Sequence, residues 1–329
     1  MINIGDFKIQ NILFEVYNTL ISFSTNSVEL MDEIRKDFGS FETNSGLEVN
    51  GCMRIIKTED SFPLRVPKYA IRETILPPDA AIYTVDNLRF IEQRNERILR
   101  LDFEKNEIVG YFKSPLKYTV FLRSLLKWVL IKALEKQGIS FIHGSGVEKD
   151  GLSLFFIGPS GSGKTRTLLA FLLDGYNLIT DDTIFLKDKK VFPFYIRSKI
   201  LEDLVKNYPA LKKGVNKKST LLPGQGWHID LGDIFPVQRL KVQPSKLFYI
   251  YVWNSEETKI EVISKKEMLS RLFFIYKNEL SSSIWFNHEE EKAMRDIFPN
   301  YDLFVKEADC YKVYAGTDMP SFIKALKSK

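Results

Sequence analysis

The clearest alternation of apolar and polar segments lies in the middle of the chain. The apolar run 152–157 predicts a buried strand, and the apolar-rich segment 167–173 predicts a helix that ends near Gly175. A second short apolar run, 176–180, predicts another strand. Strand, helix and strand in this order are typical of α/β proteins.

The first third of the chain predicts a separate, smaller α/β unit. Residues 14–23 predict a strand, and Asn26 with Glu29 forms a capping box before a helix that Gly39 ends. A hairpin is predicted around residues 104–106. No residue here carries evident chemistry, so a unit for substrate recruitment or assembly and a structural cap both remain open.

A long helix is predicted over residues 114–137, with Ser114 as its N-cap and Pro115 at its first position. The segment is apolar around much of its circumference, which raises a membrane span as an alternative. Charged residues such as Arg123 and Lys127 interrupt it, so we reject that alternative. We expect a buried helix that connects two domains.

Length and composition indicate two globular domains. The 329 residues predict an N-terminal α/β domain (1–113), the connecting helix (114–137) and a C-terminal domain (138–329).

The net charge of +5 is modest, and no compact nucleic-acid-binding motif accompanies it, so we expect no nucleic-acid partner. Cys52 and Cys310 form neither a disulfide framework nor a metal-binding spacing, as in a reduced compartment. The N-terminus lacks the features of a signal peptide, so we expect a cytoplasmic protein.

The segment between the central strand and helix has the pattern of a phosphate-binding loop. Gly158–Thr165 fits G-x-x-x-x-G-K-[ST], the P-loop. Its glycines allow successive N–H groups to face one anion, and the helix N-terminus adds partial positive charge. A Gly/Ser turn with no function is the alternative, against which the flanking strand and helix argue. We expect Lys164 to reach the β- and γ-phosphates of ATP and Thr165 to bind Mg²⁺. The predicted nucleotide-binding residues are Gly158, Ser160, Gly161, Ser162, Gly163, Lys164, Thr165 and Arg166.

Two acidic residues, Asp181 and Asp182, follow the predicted strand 176–180. The chain leaves the sheet at this point, so both carboxylates are able to reach the phosphate site. We assign Asp182 to Mg²⁺ and Asp181 to the proton of an attacking hydroxyl group. The alternative is that Asp181 is a solvated turn residue and Asp182 an ordinary metal ligand.

His143 lies on a predicted strand one hairpin upstream of the P-loop, with residues 148–151 as the turn. This strand is expected to neighbour the P-loop strand, which makes His143 a candidate catalytic residue. A structural histidine is the alternative.

The residues His143-Gly144, the P-loop and the segment 174–182 together resemble the core of bacterial HPr kinase/phosphorylases. That family has a His-Gly before a hairpin, a P-loop and an R-G-H-x-L-x-x-D-D segment at this spacing. The resemblance covers roughly residues 138–190 and separates the chain from Ras-like, RecA-like and adenylate-kinase-like P-loop proteins. It implies a nucleotide-binding domain of the HPr-kinase/PEP-carboxykinase type. It also implies transfer of the γ-phosphoryl group of ATP to a serine on a small protein.

The chain departs from this family at three places. Arg166 stands where the family has an acidic residue, and residues 193–197 contain an arginine but no counterpart of the family's metal-binding glutamate. The Arg- and Gly-rich C-terminal signature of the bifunctional enzymes is missing. Phosphorolysis, the hexamer and HPr itself are therefore not carried over, and a homo-oligomer remains open. What remains is similar to divergent HPr-kinase-like proteins, some of which phosphorylate lasso-peptide precursors.

A polar, glycine-containing segment follows the predicted core, at residues 206–228. It predicts a long loop that either clamps a phosphate or an acidic peptide through its lysines or is simply solvated. His228 and Arg239 are weaker candidates for contact with the transferred phosphoryl group. His288, beside three glutamates, is expected at the surface.

The residues thus predict an ATP- and Mg²⁺-dependent kinase that acts on a serine of a peptide or small protein. A peptide natural-product precursor is one candidate for that acceptor. Two alternatives stay open: a non-catalytic ATP-binding switch, and a kinase for a small-molecule hydroxyl group. The paired aspartates favour a kinase, because a switch requires only one metal-binding carboxylate.

Overall fold

The structure is a computed structural model that describes residues 8–76, 80–115, 119–216, 219–222, 226–253, 255–281 and 290–329. The chain has a mixed α/β fold and divides into two units, with the boundary between Gln137 and Gly138. Among the described residues, no helix has both the length and the apolar character needed to cross a membrane.

The first unit is built on an eight-stranded mixed sheet with the order β1-β2-β3-β8-β7-β6-β5-β4. Strand β3 runs parallel to both β2 and β8, and the other neighbours are antiparallel. Its elements are β1 (Gln10–Val16), β2 (Thr19–Thr25), α1 (Val28–Phe38), β3 (Val49–Lys57), β4 (Ile71–Leu76), β5 (Ala80–Val85), β6 (Leu88–Gln93), β7 (Arg97–Asp102), β8 (Glu107–Phe112) and α2 (Thr119–Lys136).

Helix α2, which the sequence predicted to connect two domains, lies within this first unit. It packs on β2 and β3, and the buried face includes Leu122, Leu126 and Val129. Residues 116–118, near its predicted start, lie outside the described residues.

The single strand predicted over residues 14–23 is wrong, because this stretch is the β1–β2 hairpin. Tyr17 and Asn18 form its two-residue turn with φ of 53° and 62°. Two consecutive left-handed residues give a turn whose twist matches the flanking strands. Tyr17 is not a typical turn residue, and Asn18 alone is a weak signal of the reversal.

The predicted N-cap of α1 is wrong by one residue. The hydroxyl group of Ser27 accepts the hydrogen bond from the Leu30 N–H at 3.2 Å. Asn26 instead bonds both backbone groups of Lys57, at 2.7 and 2.9 Å. Asn26 therefore ties the start of the helix to β3 rather than capping it.

The second unit is built on a six-stranded sheet with the order β12-β10-β11-β18-β20-β19, beside two three-stranded sheets, β14-β13-β9 and β15-β17-β16. Its strands are β9 (Ser140–Ile142), β10 (Gly144–Lys149), β11 (Leu152–Ile157), β12 (Asn177–Thr180), β13 (Ile184–Lys187), β14 (Lys190–Phe192), β15 (Ser198–Ile200), β16 (Thr220–Leu222), β17 (Gly226–Ile229), β18 (Lys246–Val252), β19 (Lys259–Val262) and β20 (Asp309–Ala315). Its helices are α3 (Lys164–Leu173), α4 (Glu202–Asn207), α5 (Pro209–Gly214), α6 (Lys265–Ser281), α7 (Glu290–Glu307) and α8 (Met319–Lys327).

The central strand of this sheet, β11, is buried on both faces. Phe156 packs against Phe171 of α3, with ring centroids 5.2 Å apart. On the other face, Phe155 meets Phe304 of α7 edge-on, with centroids 5.5 Å apart. Burial on both faces explains why 152–157 is a nearly continuous apolar run rather than an alternating one.

The long loop predicted at residues 206–228 is wrong, because much of it is regular structure. Helices α4 and α5 bury Leu204, Val205 and Leu211, while the lysines 212 and 213 point to solvent. Strands β16 and β17 then pair antiparallel. Residues 217–218 and 223–225 lie outside the described residues. The apolar positions are too few and too closely flanked by lysines to show a helical period in sequence.

Candidate phosphate-binding site

The P-loop lies between the end of β11 at Ile157 and the start of α3 at Lys164. Gly161 and Gly163 take φ of 80° and 92°, which a residue with a side chain rarely adopts. A Cβ added at either glycine would meet no atom within 4 Å, so this side of the loop is open. The loop backbone thus takes a conformation that costs little free energy only for glycine. The open side of the loop lies beside the N-terminus of α3.

The Lys164 side chain is buried within this loop. Its Nζ donates to the carbonyl oxygens of Gly158 at 2.9 Å and Pro159 at 3.0 Å. Nearby, the Ser162 hydroxyl group is buried and has no hydrogen-bond partner among the described residues. A buried polar group without a partner is costly, so an incoming anion that accepts a hydrogen bond from Ser162 is favoured. Arg166 and Ser160, which the sequence predicted to bind the nucleotide, are both exposed.

The strand register brings the other predicted residues to the same edge of the sheet. Gly144, at the start of β10, pairs with Ile157, and Gly146 pairs with Thr180 at the end of β12. His143 and Asp181, the neighbours of these strand ends, therefore lie at the edge that carries the P-loop. His143 is not within a strand, as the sequence predicted, but at the bend where the chain passes from β9 to β10.

Asp181 is buried and contacts the P-loop. The Thr165 hydroxyl group donates to its Oδ1 at 3.4 Å, and the Ser198 side chain is a further hydrogen-bond partner. Burial, and then the neighbouring Asp182, raise the pKa of the Asp181 carboxyl to about 6. Hydrogen bonds from Ser198 and Thr165 and the charge of Lys164 oppose this rise.

Asp182 has a different environment from its neighbour. Its side chain is 55% exposed, and its Oδ1 lies 3.3 Å from Nδ1 of His143. Its φ of 72° is left-handed, an uncommon conformation for a residue other than glycine.

Residues 236–238 run alongside β12. Val237 forms a parallel bridge with Leu178, and Gln238 bonds Glu148 at 3.1 Å and the backbone of Leu178 at 2.8 Å. Arg239 follows this segment and is exposed. Its suggested contact with the transferred phosphoryl group stays a prediction.

His228 lies in β17, which pairs with β15. The register sets Ser198 opposite Ile229 and Lys199 opposite His228. Side chains alternate between the faces of a strand, so His228 is on the face away from Ser198 and its partner Asp181. The structure does not support the suggested role of His228. His288 lies outside the described residues.

Ser198 is the residue near the phosphate loop that sequence reasoning missed. It begins β15, far along the chain from Asp181, and no local motif marks it. The isolated bridge between Thr180 and Phe194 brings this part of the chain alongside the end of β12. Only the tertiary fold identifies it.

These residues fit Mg²⁺ with a nucleotide polyphosphate. Thr165 and Asp181 present two oxygen atoms 3.4 Å apart beside the open face of the loop, and oxygen is the ligand type that Mg²⁺ prefers. Lys164, Ser162 and the first-turn N–H groups of α3 offer donors to phosphate oxygens.

Comparison with known proteins adds little to this picture. No protein-family model matches the chain, and no curated protein matches it. Among solved structures, the chain is similar to the HPr(Ser) kinase/phosphatase from Coxiella burnetii, with 15% identity over 57% of this chain and 94% of that chain and a TM-score of 0.28. A likeness at this level does not bear on activity.

Proposed function

We propose that this chain is a kinase that uses Mg²⁺-ATP and transfers the γ-phosphoryl group to a hydroxyl group. The observation that carries the proposal is the pair of aspartates at the P-loop edge with different neighbours. One carboxylate lies against the P-loop threonine, and the other against a histidine. A protein that only binds nucleotide has use for the first carboxylate alone.

The contacts favour a division of roles opposite to the one expected from the sequence. Asp181 touches Thr165, so these two residues would hold the metal, as the P-loop hydroxyl and the strand-end aspartate do in P-loop proteins. When bound, Mg²⁺-ATP would supply the phosphoryl group, with the metal offsetting charge on the phosphates. Lys164 and the loop amides would stabilise the negative charge on the β- and γ-phosphate oxygens.

Asp182 would act as the base. It is exposed, as a group that meets an incoming hydroxyl has to be, and the Nδ1–H of His143 would hold its carboxylate in position. The carboxylate would take the hydroxyl proton as the acceptor oxygen bonds to the γ-phosphorus and ADP leaves. His143 is then a positioning residue, since it acts through Asp182.

We propose a serine of a peptide or small protein as the acceptor. This part follows from the resemblance carried by His143-Gly144, the P-loop and residues 174–182. A small-molecule hydroxyl group would need the same base and metal, so the site chemistry alone does not separate the two acceptors.

The test is to incubate the full chain and Mg²⁺-ATP with a pool of serine-containing peptides and to detect phosphopeptides by mass spectrometry. A matched pool with alanine at each serine position is the control. The proposal expects phosphate only on the serine pool. Tight ATP binding without transfer to peptides, free serine or polyols would favour the switch, and transfer only to small molecules would refute the peptide acceptor.

A further inference from the structure

The strand that neighbours the P-loop strand carries aromatic residues at and just beyond its carboxyl end. Strand β18 neighbours β11, and a Cβ added on Gly158 would come within 2.6 Å of the Ile250 carbonyl oxygen. Just beyond Ile250, β18 carries Tyr251 and leads to Trp253. Ligands of open α/β sheets bind outside the carboxyl ends of the parallel strands, which is where these two aromatic residues lie.

The aromatic rings form a continuous ladder that becomes exposed toward this edge. Tyr249 is buried, and its ring centroid lies 4.8 Å from that of Tyr251. Tyr251 stacks on Tyr314 of β20 at 5.8 Å, and Tyr314 meets Trp253 at 5.5 Å. Trp253 ends the ladder with 39% of its surface exposed. The last two rings therefore offer aromatic surface at the edge of the sheet.

Cationic side chains border the ladder. The Arg271 guanidinium lies 5.0 and 5.3 Å from two of the tyrosine rings, and Lys312 Nζ lies 4.6 Å from a third. Glu267 pairs with Arg271, and Glu261 pairs with Lys259 and more distantly with Lys312. Three cations and two carboxylates thus border the rings, and Glu256 and Glu257 follow Trp253 in the chain. A ligand with an aromatic part and a negative part suits this combination.

The exposed end of the ladder is held by backbone hydrogen bonds. The Trp253 N–H donates to the Ala315 carbonyl at 3.3 Å, and its own carbonyl accepts from the Ser255 N–H at 2.9 Å. The Thr317 N–H in turn donates to Ser255 at 2.9 Å. The backbone that carries the Trp253 ring is therefore ordered before a ligand stacks on the ring.

We propose that Trp253 and Tyr314 form the surface on which the base of the bound nucleotide stacks. The proposal rests on the proposed function, because the P-loop has to hold the polyphosphate of the same ligand. Stacking on an aromatic face accepts any base, so this surface would bind ATP and GTP with similar strength.

The test compares a ligand that has a base with one that lacks it. Calorimetry on the full chain measures the affinities for Mg²⁺-ATP and for Mg²⁺-tripolyphosphate in the unmodified protein and in Trp253→Ala, Trp253→Phe and Val262→Ala. Val262 is an exposed residue of β19 near the opposite end of β20, so its variant controls for surface substitution. Melting temperatures check that each variant is folded.

We expect Trp253→Ala to weaken ATP binding by roughly 5- to 150-fold, the range for loss of one base–aromatic stack, and to leave tripolyphosphate binding unchanged. Trp253→Phe should recover most of the affinity, and Val262→Ala should behave as the unmodified chain. Unchanged ATP binding in Trp253→Ala, or equal weakening of both ligands, overturns the base site and leaves the proposed function intact. An unmodified chain that binds neither ligand refutes the proposed function and the base site together.

Discussion

At the scale of single residues, the Asp181 carboxyl links the stability of the metal-free protein to pH. Its pKa rises from the ordinary value of 3.8 to about 6 through burial and the adjacent Asp182. The folded protein therefore binds this proton more tightly than the unfolded chain does. The contribution of this group to stability falls as the pH rises from about 4 to about 6 and stays unfavourable above that range.

Asp181→Asn should consequently stabilise the metal-free protein at pH 7 by on the order of 3 kcal/mol. The difference in unfolding free energy between the variant and the unmodified protein should decrease as the pH is lowered to 4. Urea unfolding in the presence of a chelator at several pH values measures this free energy. Asp150→Asn, which removes an exposed carboxylate at a hairpin turn, is the matched control. A variant less stable than the unmodified protein at pH 7 would show that the carboxylate is not strained by burial.

Lys164 provides the second prediction at this scale. Lys164→Ala should weaken Mg²⁺-ATP binding by roughly 10- to 150-fold, because a hydrogen bond to a charged group contributes about 1.5–3 kcal/mol. Calorimetry measures the affinity. Lys190→Ala, which removes an exposed lysine of β14, should leave it unchanged. Equal affinities in the Lys164 variant and the unmodified chain would mean that the loop does not hold the phosphates.

The residues of the candidate site that could be predicted from the sequence are those that a local motif marks. Lys164 and Thr165 follow from one eight-residue pattern, and Asp181 and His143 lie at fixed offsets from it. Ser198 and the proposed base-stacking residue Trp253 lack such a marker, because they belong to segments far along the chain from the P-loop. The proposed division of roles between the aspartates rests on burial and contacts, in which the two adjacent residues differ and which their sequence context does not show.

At the scale of elements, the P-loop depends on close contact between β11 and β18. A Cβ at Gly158 would lie 2.6 Å from the Ile250 carbonyl oxygen and 2.7 Å from the Ser162 hydroxyl group, so Gly158→Ala has to displace the loop. We expect a lowered melting temperature and at least tenfold weaker ATP binding, measured by calorimetry.

Gly151→Ala is the matched control for this element. Gly151 differs from Gly158 in having a positive φ, 82°, but a Cβ there meets no atom within 4 Å and the position is a hairpin turn. Its substitution should cost roughly 1–2 kcal/mol of stability, with ATP affinity retained. A similar loss of affinity in both variants would argue against a specific role of the β11–β18 contact.

The elements that could be predicted from sequence are those with their own local signals. Turn residues at 150–151 predicted the β10–β11 hairpin, and the apolar residues along one face of the helix predicted α3. The β1–β2 hairpin turns at Tyr17, an atypical turn residue, and α4 and α5 are too short to display a period. Those elements are stabilised by packing rather than by local propensity.

At the scale of the whole molecule, the order β12-β10-β11-β18-β20-β19 joins strands that are far apart in the chain. No local pattern indicates that β18 lies beside β11 or that an antiparallel strand, β10, separates β11 from β12. The sequence therefore predicted an α/β fold without this arrangement.

Hydrogen–deuterium exchange of the full chain offers a test at this scale. Because binding protects the groups it contacts, Mg²⁺-ATP should slow exchange at residues 158–166 and 180–183. Exchange in the eight-stranded sheet of the first unit should stay the same. Protection found only in the first unit would contradict the placement of the nucleotide. Lys164→Ala, which should lose the protection, is the control.

The most direct test of the kinase proposal is phosphoryl transfer to the serine peptide pool by Asp181→Asn and Asp182→Asn at several metal concentrations. Asp182→Asn should keep its nucleotide affinity within a few-fold and lose roughly 10²–10⁴-fold in transfer rate, the usual contribution of a positioned base. Asp181→Asn should bind Mg²⁺-ATP more weakly and recover in part with raised Mg²⁺ or with Mn²⁺. Near-normal transfer by Asp182→Asn would contradict the assignment of the base, and no transfer by the unmodified chain to any hydroxyl group offered would contradict the kinase itself.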